Sequence, residues 1–293
     1  MNFDYGNTLT RAFKLTWKYK SFVLFMMFPM LIASVIFLVI AAPLFLLEGN
    51  EDMMGLVIAL WVGVIALGMI ASFLASAAGL TSLTLGILRV ERGTGSTYFM
   101  DLFRDGFQYF ARALGVMLIV NLTIGLIFTA FFLCAAALIA VTMGIASFCL
   151  QPVMILITPL SFLVAAVMNG GIVSVIEENL GAWDAVKRAL QIVREHVWNF
   201  IILTLIVYFG ASFLSSIFVV PAMIPVVFAP VAMEFGEQMF WIVMAVFVCL
   251  FFPALALYSG IVGAFTTFAI DIAYLQLSRP AEKEIISTEN TTE

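Results

Sequence analysis

Apolar runs and short amphipathic stretches alternate three times along this chain. Residues 21–47, 53–88, 113–141, 150–176, 198–220 and 239–273 are built of Leu, Val, Ile, Phe, Met and Ala and share a single charged residue, Asp271. Each run is longer than the roughly 20 residues a helix needs to cross about 30 Å of hydrocarbon. None alternates with the period of two that marks a barrel strand, and in lipid a continuous run satisfies its own peptide groups only as a helix. The pattern predicts an all-α membrane protein with six transmembrane helices. The second run exceeds what a crossing requires, so it must tilt, break near Gly79 or project beyond the bilayer, and Thr81-Ser82-Leu83-Thr84 favours projection. Residues 142–147 leave room only for a hairpin between the third and fourth spans. Pro221, Pro225 and Pro230 each remove a ladder bond, which predicts a fifth helix ending near Val220 and an apolar segment along the outer interface after it.

The stretch before each odd-numbered span has a helical period with one apolar side. In the first, Leu9, Phe13 and Trp17 align, with Arg11, Lys14 and Lys18 away from them. The second aligns Phe99, Phe103, Phe107 and Phe110 against Asp101, Arg104, Asp105, Gln108 and Arg112, with Ser96 as its cap. The third sets Val186, Ala189, Leu190, Val193 and Val197 against Asp184, Lys187, Arg188, Gln191, Arg194 and Glu195. Helices of this kind lie in the headgroup plane. Arg11-Ala12-Phe13-Lys14-Leu15 matches Arg188-Ala189-Leu190-Gln191-Ile192 in character, and Trp17 and Trp198 both stand near an elbow into a span. Residues of about 1–90, 91–178 and 179–277 therefore read as three copies of one module, an interfacial helix plus a transmembrane hairpin, within a single membrane domain. Residues 278–293 read as a disordered cytoplasmic tail.

Composition agrees, since 64% of residues are hydrophobic, 11% are charged and the mean hydropathy is +1.15, against about 25% charged in soluble domains. Charge adds orientation. All 13 Lys and Arg fall on one side of a six-span layout, and the opposite connections carry only acids, Glu48, Glu51, Asp52, Glu234 and Glu237. Cations in short loops stay inside, which places both termini and all three amphipathic stretches on the cytoplasmic face of the cell membrane. Residues 21–47 are too long for a cleaved signal and read as a retained anchor. A basic nucleic-acid surface is not supported.

The amphipathic opening Ala12-Phe13-Lys14-Leu15-Thr16-Trp17-Lys18, the segment from Val90-Glu91-Arg92-Gly93 to Phe107, and the run Ala182-Trp183-Asp184-Ala185-Val186-Lys187-Arg188-Ala189-Leu190 resemble a group of bacterial membrane proteins. These are uncharacterised relatives of the membrane domain attached to some glycerophosphoryl diester phosphodiesterases. The resemblance covers most of the chain and implies six helices of unassigned activity, without the catalytic phosphodiesterase domain.

Site motifs are scarce. Gly93-Thr94-Gly95 lacks the third glycine and the strand-to-helix setting of a dinucleotide loop, and neither a Walker A nor an HExxH pattern occurs. One histidine, His196 on an elbow, leaves few parts for a metal centre or a triad. Cys134, Cys149 and Cys249 read as small core residues, with a Cys134 to Cys149 disulfide as the alternative. Polar groups inside spans are costly, so Asn121, Asn169 and Asp271 form the candidate intramembrane cluster: a shallow cavity if they converge, helix-to-helix packing if they do not. Arg11, Lys14, Lys18, Arg104, Arg112, Lys187, Arg188 and Arg194 are the candidate headgroup contacts. Ala71-Ala75-Gly79 allows close helix contact with an internal neighbour or a second copy. The expectation is a non-enzymatic membrane scaffold or interaction module without catalytic residues, cofactor or metal. Its interfacial helices contact anionic lipid, and its partners include a homo-oligomer or another membrane protein. The alternative is a permease for a small neutral or lipid-like molecule.

Overall fold

The computed structural model describes residues 3–46, 54–93, 95–142, 146–234 and 237–278. The acidic connection 48–52, residues 143–145 of the 142–147 turn, the tail beyond Ser278 and the side chains of Cys149, Cys249, Glu234 and Glu237 lie outside what is described. Among the described residues eight helices follow in order: α1 (Tyr5–Lys18), α2 (Lys20–Leu46), α3 (Met54–Arg92), α4 (Phe99–Val141), α5 (Ala146–Glu177), α6 (Ala182–Glu195), α7 (Val197–Glu234) and α8 (Glu237–Ser278). Five are long and apolar enough to cross a bilayer, and α1 with α2, bent by 84°, pass as a sixth when taken together. This is an all-α architecture of the multi-pass membrane kind. Its exterior agrees, for Leu67, Met69, Leu126 and Phe213 point outward.

Two expectations about continuity are overturned, and one alternative falls away. Of tilt, a break near Gly79 and projection, the break is not seen, since helix α3 runs 39 residues. That glycine is where α2 crosses, since a Cβ there would stand 2.7 Å from the Phe25 carbonyl oxygen. The small-residue stripe thus serves an internal neighbour at this point. Helix α7 does not end near Val220 but continues past Pro221, Pro225 and Pro230 to Glu234. In hydrocarbon no water waits for the freed carbonyls, so the remaining ladder bonds hold the helix together. The second amphipathic stretch is not a separate surface helix. It merges with the third span in α4, a 43-residue helix of about 65 Å.

Helices α3, α5 and α8 touch one another and make the centre of the bundle. Around them, α2 packs on α3 and α8, α4 on α3 and α5, and α7 on α5 and α8. Each outer helix therefore lies between the second helix of its own hairpin and that of the hairpin before it, and the pattern closes on itself. The amphipathic stretches obey the same rule. Helix α1 rests on α8 and α6 on α5, while the first turns of α4 lie on α3, with Gly106 against Ser82 and Leu102 against Gly86.

Register along these stretches is shared. Their N-cap positions are Asp4, Tyr98 and Gly181. One turn in, Thr8, Leu102 and Ala185 are buried; a further turn in, Ala12, Gly106 and Ala189 are buried; just past that point, Phe13, Phe107 and Leu190 are exposed. Helices α1 and α6 have the same 14-residue length, and each breaks at the residue after it. The Tyr19 and His196 N–H groups cap Leu15 and Ile192, and Phe22 N–H and Asn199 N–H donate back to the Tyr19 and His196 carbonyls at 3.1 and 3.0 Å. The matching position in α4, Ala113, stays helical and is fully buried.

Candidate functional site

The end of the bundle where the amphipathic stretches lie also gathers the charged residues, and small side chains explain how. A helix that must lie close against another presents Gly, Ala or Thr at the contact, as these let backbones approach. The faces turned inward are Thr8, Ala12, Leu15 and Thr16 in α1 and Ala185, Ala189, Ile192 and Val193 in α6. The large apolar side chains of the same stretches point outward. Trp17 is 58% exposed and Phe107 64%, and Phe13, Phe103, Trp183, Leu190 and Trp198 are exposed as well. The apolar side read from spacing is thus divided between a packed half of small residues and an outward half of bulky ones.

The eight candidate headgroup cations separate into two groups. Arg11 pairs with Glu91 at 2.8 Å, Arg188 with Glu178 at 3.5 Å, and Arg112 donates to Asn179 Oδ1 at 2.6 Å. Lys14, Lys18, Arg104, Lys187 and Arg194 are exposed and, among the described residues, have no ion pair. Lys18 Nζ lies 5.3 Å from the Tyr19 ring centroid and Lys187 Nζ 5.5 Å from that of Trp183, a geometry that keeps a cation beside an aromatic face.

The paired cations belong to a set of ties between helices. Arg92 meets Glu177 at 3.4 Å, joining α3 to α5, and Arg89 meets Asp105, joining α3 to α4. Helix α1 reaches three others, through Arg11 to Glu91 of α3, Tyr5 Oη donating to Asn199 Oδ1 of α7 at 3.1 Å, and Thr8 Oγ1 at 3.3 Å from Gln276 Oε1 of α8. None of these partners was singled out from sequence. The available signal was the near balance of acids and bases on this side, which no local motif resolves into pairs.

The intramembrane candidates are not brought together. Asp271, fully buried on α8, accepts from Thr84 Oγ1 of α3 at 2.9 Å through Oδ2, and its Oδ1 has no partner among the described residues. Asn169 is 5% exposed, and among the described residues its Oδ1 also lacks a partner. Its face of α5 is that of Phe162, two turns earlier, which meets Tyr208 of α7 with centroids 5.3 Å apart. Asn169 therefore faces α7, where buried Thr204 leaves its own Oγ1 unpartnered, whereas Asp271 faces α3. Between them the Tyr274 ring lies against Gly170, its hydroxyl 2.8 Å from Ser174 Oγ. Asn121 is on the exterior and donates to the Met117 carbonyl of its own helix at 2.7 Å. Cys134 is likewise an exposed free thiol and not a core residue.

A cleft of about 350 Å³ opens at the α3–α4 turn, lined by Arg89, Gly95, Ser96, Asp101, Arg104 and Asp105. Two glycines shape the turn, Gly93 at φ +64° and Gly95 at φ +83°, values that side chains with a Cβ rarely adopt. Ser96 does not cap α4; Tyr98 holds the N-cap position, and Ser96 Oγ accepts from the Tyr98 N–H at 3.2 Å. No group of three His, Cys, Asp or Glu side chains able to hold a metal comes together among the described residues. No family model, curated protein or solved structure matches this chain.

Proposed function

We propose that this protein is a non-enzymatic membrane scaffold of six transmembrane helices, built from three copies of one module, that collects anionic lipid at its charge-rich, cytoplasmic end. The observation that carries the reading is the outward face of the amphipathic stretches. Bulky apolar side chains at Phe13, Trp17, Phe107, Trp183 and Leu190 share the exterior with the unpaired cations Lys14, Lys18, Arg104, Lys187 and Arg194. Such a surface suits the boundary between acyl chains and headgroups, and each cation near an anionic leaflet contributes about 1 kcal/mol. The cyclic packing and the shared register support the triplication, and both are compatible with the resemblance to phosphodiesterase-associated membrane domains.

The test is lipid retained by the whole protein in nanodiscs of mixed phosphatidylglycerol and phosphatidylcholine, read by mass spectrometry. The wild type is expected to hold phosphatidylglycerol above its bulk fraction, and a variant with Lys14, Lys18, Lys187 and Arg194 all changed to Ala to hold it at the bulk fraction. Bulk retention by the wild type sinks the reading. Orientation is checked in intact cells with an impermeant thiol reagent on a cysteine-free background. A cysteine at Asn50 is expected to react, and cysteines at Gly93 or Ser278 to be spared. A permease for a small neutral or lipid-like molecule is the second reading, favoured by the orphan oxygens of Asn169 and Asp271. It requires flux into proteoliposomes that Asp271→Asn abolishes in a folded protein.

A further inference from the structure

We propose that the cleft at the α3–α4 turn binds a phosphoethanolamine group, with the phosphate on Arg104 and the ammonium on Asp101. The inference rests on the headgroup-level placement of this end and names a ligand for the one amphipathic stretch that differs from the others. Four charged side chains line the cleft, Arg89, Arg104, Asp101 and Asp105. Two are already engaged, because Arg89 Nη2 pairs with Asp105 while its Nη1 donates to the Ser96 carbonyl at 3.2 Å. Gly95 makes room for this arrangement, since a Cβ there would stand 3.2 Å from Arg89 Cδ. Arg104 and Asp101 are left, exposed and, among the described residues, without an ion pair.

One free cation and one free anion decide the ligand class. A lone phosphate would satisfy Arg104 and leave Asp101 repelling it; a lone amine would do the reverse. A phosphate joined through two carbons to an ammonium satisfies both, and residues three apart on a helix stand at about 5–6 Å between Cβ atoms, a comparable span. The cleft is of the size that small-ligand pockets take, about 300–1,000 Å³. A quaternary ammonium is the poorer fit, as it has no N–H for a carboxylate and is recognised by aromatic cages, and no aromatic side chain lines this cleft.

The experiment uses the whole protein in nanodiscs of phosphatidylethanolamine, phosphatidylcholine and phosphatidylglycerol in equal parts, with retained lipid read by native mass spectrometry. The wild type is expected to prefer ethanolamine over choline lipid by about tenfold, one charge-assisted contact's worth. Arg104→Ala and Asp101→Ala are each expected to remove the preference. In discs without ethanolamine lipid, soluble O-phosphoethanolamine is titrated as a second arm. Binding there that both substitutions abolish supports the same site with a free ligand as its source. The proposal is overturned if neither probe responds to either substitution, or if Asp101→Ala is silent while Arg104→Ala lowers glycerol and ethanolamine lipid alike, the mark of a plain anion site. Enrichment of phosphatidylglycerol through Lys14, Lys18, Lys187 and Arg194 is a separate readout, so the failure of one reading does not carry the other with it.

Discussion

Helices α1 and α6 and the first turns of α4 bury the same register positions, with a small residue two turns in at Ala12, Gly106 and Ala189, yet two of them stop at an elbow and the third runs straight into its span. The difference lies at one position. Tyr19 and His196 leave helical geometry, with φ/ψ of −117°/83° and −123°/33°, whereas Ala113 stays in the helix and is buried. Alanine has the highest helix propensity and aromatic residues lose rotamer freedom in a helix, a difference of several tenths of a kcal/mol that favours this outcome. Similar inward packing thus sets where each stretch lies, and the junction residue sets whether the chain bends there.

Proline substitution breaks this comparison most sharply. Ala113→Pro removes a bonded N–H inside α4 and is expected to cost about 3 kcal/mol or more. Lys20→Pro stands at the first helical position after an existing break and should change stability by less than about 1 kcal/mol. Thermal unfolding in one detergent decides it, and equal losses would mean that α4 is not held straight at Ala113. Next in size is the register itself. Ala12→Leu, Gly106→Leu and Ala189→Leu are each expected to cost about 1–3 kcal/mol by overpacking, with Gln108→Leu on the exposed side as the mild control. A tolerated member of the trio would remove that unit from the repeat. Smallest in stability are Phe13→Ser, Phe107→Ser and Leu190→Ser, expected within about 0.5 kcal/mol. Each should still make a nitroxide at the neighbouring position more accessible to a water-soluble relaxant, and no change there would deny these side chains an apolar surrounding.

The apolar runs, the elbows and their cations were readable from period and charge, since hydrocarbon thickness and helical pitch leave few alternatives for such segments. The inward packing of Thr8 and Ala12 was not. A helical wheel sorts large apolar from charged side chains, while contact between closely packed helices selects small residues such as these. Pro221, Pro225 and Pro230 misled for a related reason, as the rule that prolines end helices assumes that water takes over the freed carbonyls. The three intramembrane polar residues could be named from sequence. Their separation onto the α3 side, the α7 side and the exterior depends on helix rotation, which one chain's pattern does not state.

Helix α1 precedes its partners in the chain, yet its contacts include Asn199 and Gln276, which lie 194 and 268 residues beyond Tyr5 and Thr8 and so are synthesised later. Until then its inward side, with Thr8 and Thr16, is uncovered, and hydroxyls tolerate water where a row of leucines would not. The chain thus carries ahead of time a piece that closes the circle of helices only when α8 arrives.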